Sequence, residues 1–201
     1  MGRQSIVKER IKDPKKRKEW IDLLLPYFID KGIRAVPIDE VVSILGKSKA
    51  TVYQHFESHH EIVSLAIAQK LGEMKHFQPI LADAEKSYQD RYMFAVAYVS
   101  KHLGNINNVF LSDLKEIYPD LWQLINSFKL MALSELRTFY ISGIQNGAFE
   151  DINPDLMVLS DELFFDALTN PEYLTSKGLN LQAAFESYFR MRFYGILKQR
   201  T

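Results

Sequence analysis

Three histidines, His55, His59 and His60, invite a metal site, because imidazoles four residues apart on one helix can share an ion. That spacing works only if a single helix carries both rings, and Ser58 starts a new helix between them. No third ligand is apparent, so no metal is expected. Cysteine is absent, which excludes disulfides, thiolate metal sites and cysteine nucleophiles. Glycine-rich phosphate loops, nucleophile elbows and metalloprotease motifs are absent too. Asp161 and Glu162 read as carboxylates on a solvated helix face. The residues give an enzyme no positive support and imply no cofactor.

A second cluster has a different chemistry. Lys49, Ala50, Thr51, Gln54 and His55 are small or polar residues on a short helix that opens at Ser48, a good N-cap. The preceding helix spans residues 37–45, with Ile38, Val41, Val42 and Leu45 on one face, and Gly46 breaks it. Two short helices joined by the tight turn Gly46-Lys47-Ser48 have the plan of a helix-turn-helix. The turn needs a residue tolerant of unusual φ and ψ, and glycine is one. The second helix must keep bulky apolar groups off its outer face if it is to enter the major groove, and this one does.

These two helices need a scaffold, and the flanking sequence is helical throughout. Asp13-Pro14 starts a helix that runs through Trp20, Leu23, Leu24 and Phe28 to Gly32, with Pro26 inside it expected to kink or split it. Ser58 with Glu61 three residues on is a capping box for a helix reaching about His76, with Pro79 just beyond. Residues 88–103 are apolar on nearly every side: Tyr92, Val96, Val99 and Leu103 on one face, Phe94 and Tyr98 on another. That is the pattern of a helix buried in the centre of a bundle. Further helices are expected over residues 105–117 and 119–146, from 154 to before Pro171, and over 181–198. Strand-like alternation is nowhere sustained. The fold class is therefore all-α: an N-terminal three-helix unit in residues 1–57, with a basic arm, followed by a larger helical domain in residues 58–201.

Composition fits this plan. The 201 residues, 47% of them hydrophobic, allow a small module joined to a larger helical body with a real core. No apolar run is long enough to cross a bilayer, and the basic start has no apolar stretch like that of a signal peptide. No membrane partner is expected, and a cytoplasmic location is. Net charge is zero but uneven: residues 1–57 hold twelve Lys and Arg against eight Asp and Glu, and the first eighteen residues eight against two. A basic first quarter on an acidic remainder fits either an anionic partner or a solvated tail.

Residues 32–63, GIRAVPIDEVVSILGKSKATVYQHFESHHEIV, resemble the signature of the TetR (tetracycline repressor) family of transcriptional regulators. The run Ser48-Lys49-Ala50-Thr51-Val52-Tyr53, with Phe56 three residues on, carries the resemblance, which is strong over residues 20–65. Beyond it, only helix lengths and the Gly147-Ala148-Phe149 turn before Asn153-Pro154 are similar. The chain departs from the pattern at Val36-Pro37, where a threonine pair is usual, at Lys47, where an apolar turn residue is usual, and at His59, where lysine is common.

The resemblance implies a homodimeric, ligand-responsive repressor acting on a palindromic operator in double-stranded DNA. It implies phosphate contacts from Ser48, Tyr53, His55 and His59, and base contacts from Lys49, Ala50, Thr51 and Gln54, with Lys47 near. Arg3, Lys8, Lys15, Lys16 and Arg17 would add salt-sensitive attraction. It also implies an effector pocket among the central helices for a small apolar or aromatic molecule, with Tyr92, Tyr98, His102, Phe110, Trp122 and Phe164 as candidates. The last two helices would make the dimer through Leu156, Leu159, Leu163, Phe185, Tyr188, Phe189 and Ile196, unless both faces are used within one subunit. Two other classes stay open: a helical protein-interaction module whose degenerate helix-turn-helix does not bind DNA, and an enzyme built on a helical bundle.

Overall fold

The structure is a computed structural model that describes residues 13–194. Arg3 and Lys8 of the basic arm, and Ile196 and Lys198 at the expected end of the last helix, lie outside the described residues. Among the described residues every regular element is a helix: α1 (Pro14–Lys31), α2 (Ile38–Leu45), α3 (Lys49–His55), α4 (His59–Met74), α5 (Phe77–Ala82), α6 (Tyr88–Leu103), α7 (Asn108–Ile117), α8 (Pro119–Gln145), α9 (Pro154–Leu168), α10 (Pro171–Ser176) and α11 (Leu181–Tyr194). The all-α expectation holds. Within that range no helix is long and apolar enough to cross a membrane.

Local rules set most of the helix starts. The Asp13 carboxylate accepts from the amides of Lys15 (3.0 Å) and Lys16 (3.1 Å), while Pro14 occupies a first-turn position where its missing N–H has no helical partner to lose. Pro26 does not split α1. It lies on the exposed side with Leu23 and Tyr27, so the lost backbone bond faces water, and the helix continues to Lys31. The opposite side of α1 is apolar at Trp20, Leu24 and Phe28, four residues apart, and these side chains are buried.

Two helices go beyond the sequence reading. Pro79 lies beyond α4 as expected but inside the first turn of a further helix, α5, and Pro171 follows the end of α9 as expected but opens a further helix, α10. Both prolines occupy first-turn positions, where a missing donor is tolerated. Helix α6 is also less enclosed than expected. Phe94 is exposed, while the Tyr92, Val96, Val99 and Leu103 face turns inward.

α1 packs on α2, α4 and α7; α4 in turn meets α6 and α8; α8 lies along α9, and α11 along α6 and α9. The loop after α1 is fixed by a close approach. Gly32 has φ +87°, and a Cβ there would stand 2.7 Å from the Asp113 carboxylate. That carboxylate accepts from the Arg34 amide at 2.9 Å, so glycine is what lets α7 come this near.

Candidate nucleic-acid interface and ligand cavity

The turn between α2 and α3 is built as a backbone device. Gly46 adopts a left-handed conformation, φ 60° and ψ 37°, and the Lys47 amide donates to the Val42 carbonyl at 3.0 Å, closing α2. The Ser48 hydroxyl accepts from the Thr51 amide at 3.1 Å and lies 2.9 Å from the Thr51 hydroxyl, which fixes the first turn of α3. Val52 and Phe56 are buried, with Phe56 6.0 Å from the Trp20 ring, and they anchor α3 to α1. With that face inward, Lys47, Ser48, Lys49, Ala50 and Tyr53 are exposed, and Thr51 and Gln54 are half-buried beside them.

One partner on this surface was not anticipated. The Lys49 ammonium lies 2.6 Å from the Asp39 carboxylate of α2, and that hydrogen bond raises the lysine pKa. Asp39 and Lys49 stand ten residues apart on different helices, a spacing that periodicity cannot pair.

The histidines are engaged inside the fold. His55 is only 4% exposed, edge-on to Trp20 at 4.8 Å, and its buried Nδ1 has no hydrogen-bond partner. His59 has Nε2 2.7 Å from the Val36 carbonyl and Nδ1 2.9 Å from the Tyr118 hydroxyl. A carbonyl only accepts, so Nε2 carries the proton and Nδ1 accepts from Tyr118. Burial holds the His59 pKa below its ordinary value. His60 turns to Asp120, with Nε2 at 2.6 Å from the carboxylate. The three rings therefore point three ways, and among the described residues no group of three or more His, Asp or Glu side chains is placed to hold a metal ion. Arg17 is also committed inside the fold, paired with Glu61 and lying 5.2 Å over the Phe56 ring. Lys15 is exposed, and Lys16 lies over Trp20 at 5.3 Å.

These histidines instead join two parts of the chain. Ser58 caps α4, accepting from the Glu61 amide at 3.1 Å as the capping box requires. The next two residues then reach across: His59 ties the α1–α2 loop to the α7–α8 junction, and His60 ties α4 to the first turn of α8. The last turns of the same helix, at Leu71 and Met74, line a cavity.

That cavity, about 160 Å³, lies between α4, α5, α6, α7, α8, α9 and α11. Of the aromatic candidates, Tyr92 lines it. Tyr98 donates to the Glu73 carbonyl at 2.9 Å and lies 4.6 Å from the His102 ring, on the seam of α4 and α6. Phe110 is buried off the cavity wall, Trp122 packs beneath Lys115, and Phe164 stacks face to face on Tyr188 at 3.8 Å. Apolar side chains form most of the wall, among them Val96, Val99, Leu103, Phe128 and Leu136. The signal for the first three was the Tyr92, Val96, Val99, Leu103 stripe; of the aromatic candidates, Tyr98, Phe110, Trp122 and Phe164 lie off this cavity's wall.

The dimer candidates divide into two groups. Leu156 (60% exposed), Leu159 (49%) and Leu163 (62%) form an outward stripe on α9. Phe185 and Phe189 are buried within the subunit and line the cavity. Tyr188 donates to Asp161 at 2.8 Å. Asp161, read as a solvated carboxylate, is 0% exposed. It accepts from Tyr140 at 2.7 Å and lies 3.3 Å from the Arg192 guanidinium. Burial raises its pKa, and Arg192 opposes that shift.

No family model matches the chain. It is 22% identical over 160 residues, 79% of this chain and 84% of the relative, to the uncharacterized HTH-type transcriptional regulator YvaF of Bacillus subtilis. Among solved structures it is similar to a putative transcriptional regulator from Saccharomonospora viridis in complex with choline, with a TM-score of 0.71 and 15% identity, covering 93% of this chain and 100% of that one. It is similar to the TetR family regulator PfmR from Thermus thermophilus, at a TM-score of 0.66 and 16% identity, over 89% and 99% of the two chains. It also resembles FadR from Bacillus subtilis in complex with stearoyl-CoA, at 0.64 and 17%, over 90% and 99%. The proteins it resembles are named as transcriptional regulators, and the chain has the fold of the TetR/AcrR regulators.

Proposed function

We propose that the chain is a sequence-specific DNA-binding regulator, a ligand-responsive repressor that acts as a homodimer on a palindromic operator in the cytoplasm. The observation that carries this reading is α3, which presents Lys49, Ala50, Thr51, Tyr53 and Gln54 on one surface while Val52 and Phe56 anchor it from behind. Lys47 and the amides around Ser48 add positive charge and donors at the helix start. Residues 1–57 make up the DNA-binding unit and residues 58–201 the effector and dimer domain.

The leucine stripe on α9 supports the dimer, since exposed apolar side chains at helical spacing suit a two-fold helical interface. Such a dimer sets two recognition helices about 34–36 Å apart, one turn of DNA, or at a related spacing. The cavity supports an effector, and α4 supplies the link, with Leu71 and Met74 at the cavity and His59 and His60 at the DNA-binding unit. An effector releases DNA only by binding the released state more tightly.

Selection of bound sequences from a random duplex pool tests this. A palindromic consensus is expected, and Lys49→Ala is expected to weaken binding and, where Lys49 meets a phosphate, to lower the log–log salt slope by about one. A non-palindromic, asymmetric footprint would overturn the dimer. Absence of enrichment at low salt and without ligand would leave the degenerate, non-binding helix-turn-helix as the better reading.

A further inference from the structure

The wall of the cavity limits what it can hold. Its length follows from the helices that bound it: Tyr92 to Leu103 on α6 and Ile125 to Leu136 on α8 each advance about 16 Å at 1.5 Å per residue. Its volume, 160 Å³, is roughly ten times what one water needs, yet the wall offers water nothing to bond. The polar side chains on it are already engaged. The Tyr92 hydroxyl lies 3.4 Å from that of Tyr140, Thr169 donates to the Phe165 carbonyl at 2.8 Å, and Lys129 pairs with Asp166. A molecule filling this space must therefore bury no polar group of its own.

Lys129 marks where a polar end could leave. Its stem lies on the cavity wall and its side chain is 16% exposed, while Asp166, which holds the ammonium, is 55% exposed. A long cation with its stem inside and its charge at the surface is the arrangement of a snorkelling lysine. It stands at the seam of α8 and α9, about 10 Å of helix short of Leu136.

We propose that the cavity takes the hydrocarbon tail of a straight-chain anionic amphiphile, a medium-chain fatty acid, with its carboxylate drawn to Lys129 at the α8–α9 seam in place of Asp166. The exchange swaps one carboxylate for another at the same ammonium, so no additional charge is buried. The tail runs along α6 and α8 toward Tyr92 and removes apolar surface from water. This assignment rests on the reading of the helical body as a ligand-binding domain.

Calorimetric titration of the full chain with decanoate, 1-decanol and decyltrimethylammonium tests it. Decanoate is expected to bind best, decanol about tenfold more weakly, and the cation most weakly. Lys129→Met should bring decanoate down to the level of decanol and leave decanol unchanged. Ala132→Phe, which fills the cavity, should abolish binding of both; urea unfolding checks that each variant folds. Equal binding of decanoate and decanol, or decanoate binding indifferent to Lys129→Met, would overturn the head-group assignment. Best binding of the cation would overturn it in favour of an aromatic cation site. No binding of any of the three would overturn the tail assignment. Release from the selected duplex is measured separately. Decanoate bound without release would leave this proposal standing and remove the ligand-responsive reading, and release by other molecules without decanoate binding would do the reverse.

Discussion

Two polar clusters hold helices together in this chain, and they differ in burial. At the base of the helix-turn-helix unit, His59 joins Val36 to Tyr118 through neutral hydrogen bonds in a half-buried setting, flanked by the exposed pairs Arg34–Glu116 and His60–Asp120. At the far end of the body, the fully buried Asp161 carboxylate is held by Tyr140, Tyr188 and Arg192. Water can replace the partners in the first cluster as they separate. It cannot reach the second without leaving a charge stranded in the core. Separating the helix-turn-helix unit from the body at His59 and His60 would thus cost less than parting α8, α9 and α11 at Asp161.

The comparison can be broken by four measurements. Asp161→Ala removes the one carboxylate that Arg192, Tyr140 and Tyr188 share, and is expected to remove about 3–5 kcal/mol of stability in urea unfolding. An unchanged midpoint would mean that the cluster does not clamp the body. Gly32→Ala puts a Cβ against Asp113 at a backbone conformation that suits only glycine, and should cost about 1–3 kcal/mol in the same assay.

His59→Asn is expected to be smaller and to depend on pH. Burial holds His59 below its ordinary value of 6.5, so the unfolded chain takes up this proton more readily than the folded one. The corresponding stability is complete above pH 6.5 and is lost as pH falls from there toward the lowered folded value. The variant should lose that part of the slope, and an identical slope in both proteins would show that His59 does not titrate in this window. Last, Glu116→Gln removes an exposed pair and should leave the unfolding midpoint where it is.

The same contrast explains what was legible in the sequence. The helix-turn-helix could be read residue by residue because its determinants are local: Asp13-Pro14, Gly46, and Ser48 and Ser58 as caps. Where a side chain acts over distance, the reading failed. The internal bonds of His59 were not legible, because Tyr118, 59 residues on, is invisible to local pattern. Asp161 looked solvated because Tyr140, Tyr188 and Arg192 lie on other helices. In the body the long helices were legible and their facing was not, so Phe185 and Phe189 were assigned to an interface and instead line the cavity. The helices α5 and α10, six residues each, are too short for periodicity to reveal.

The Lys49–Asp39 pair bears on how such a protein would search a genome. Asp39 occupies the ammonium in the free protein much as a phosphate would, so Lys49 gives up one contact to make another. On the proposed reading, random sequence offers only that even exchange, and the protein dwells there briefly. At its operator the base edges add contacts that Asp39 cannot imitate. On that same reading, an internal stand-in for the DNA backbone would shorten residence on random sequence.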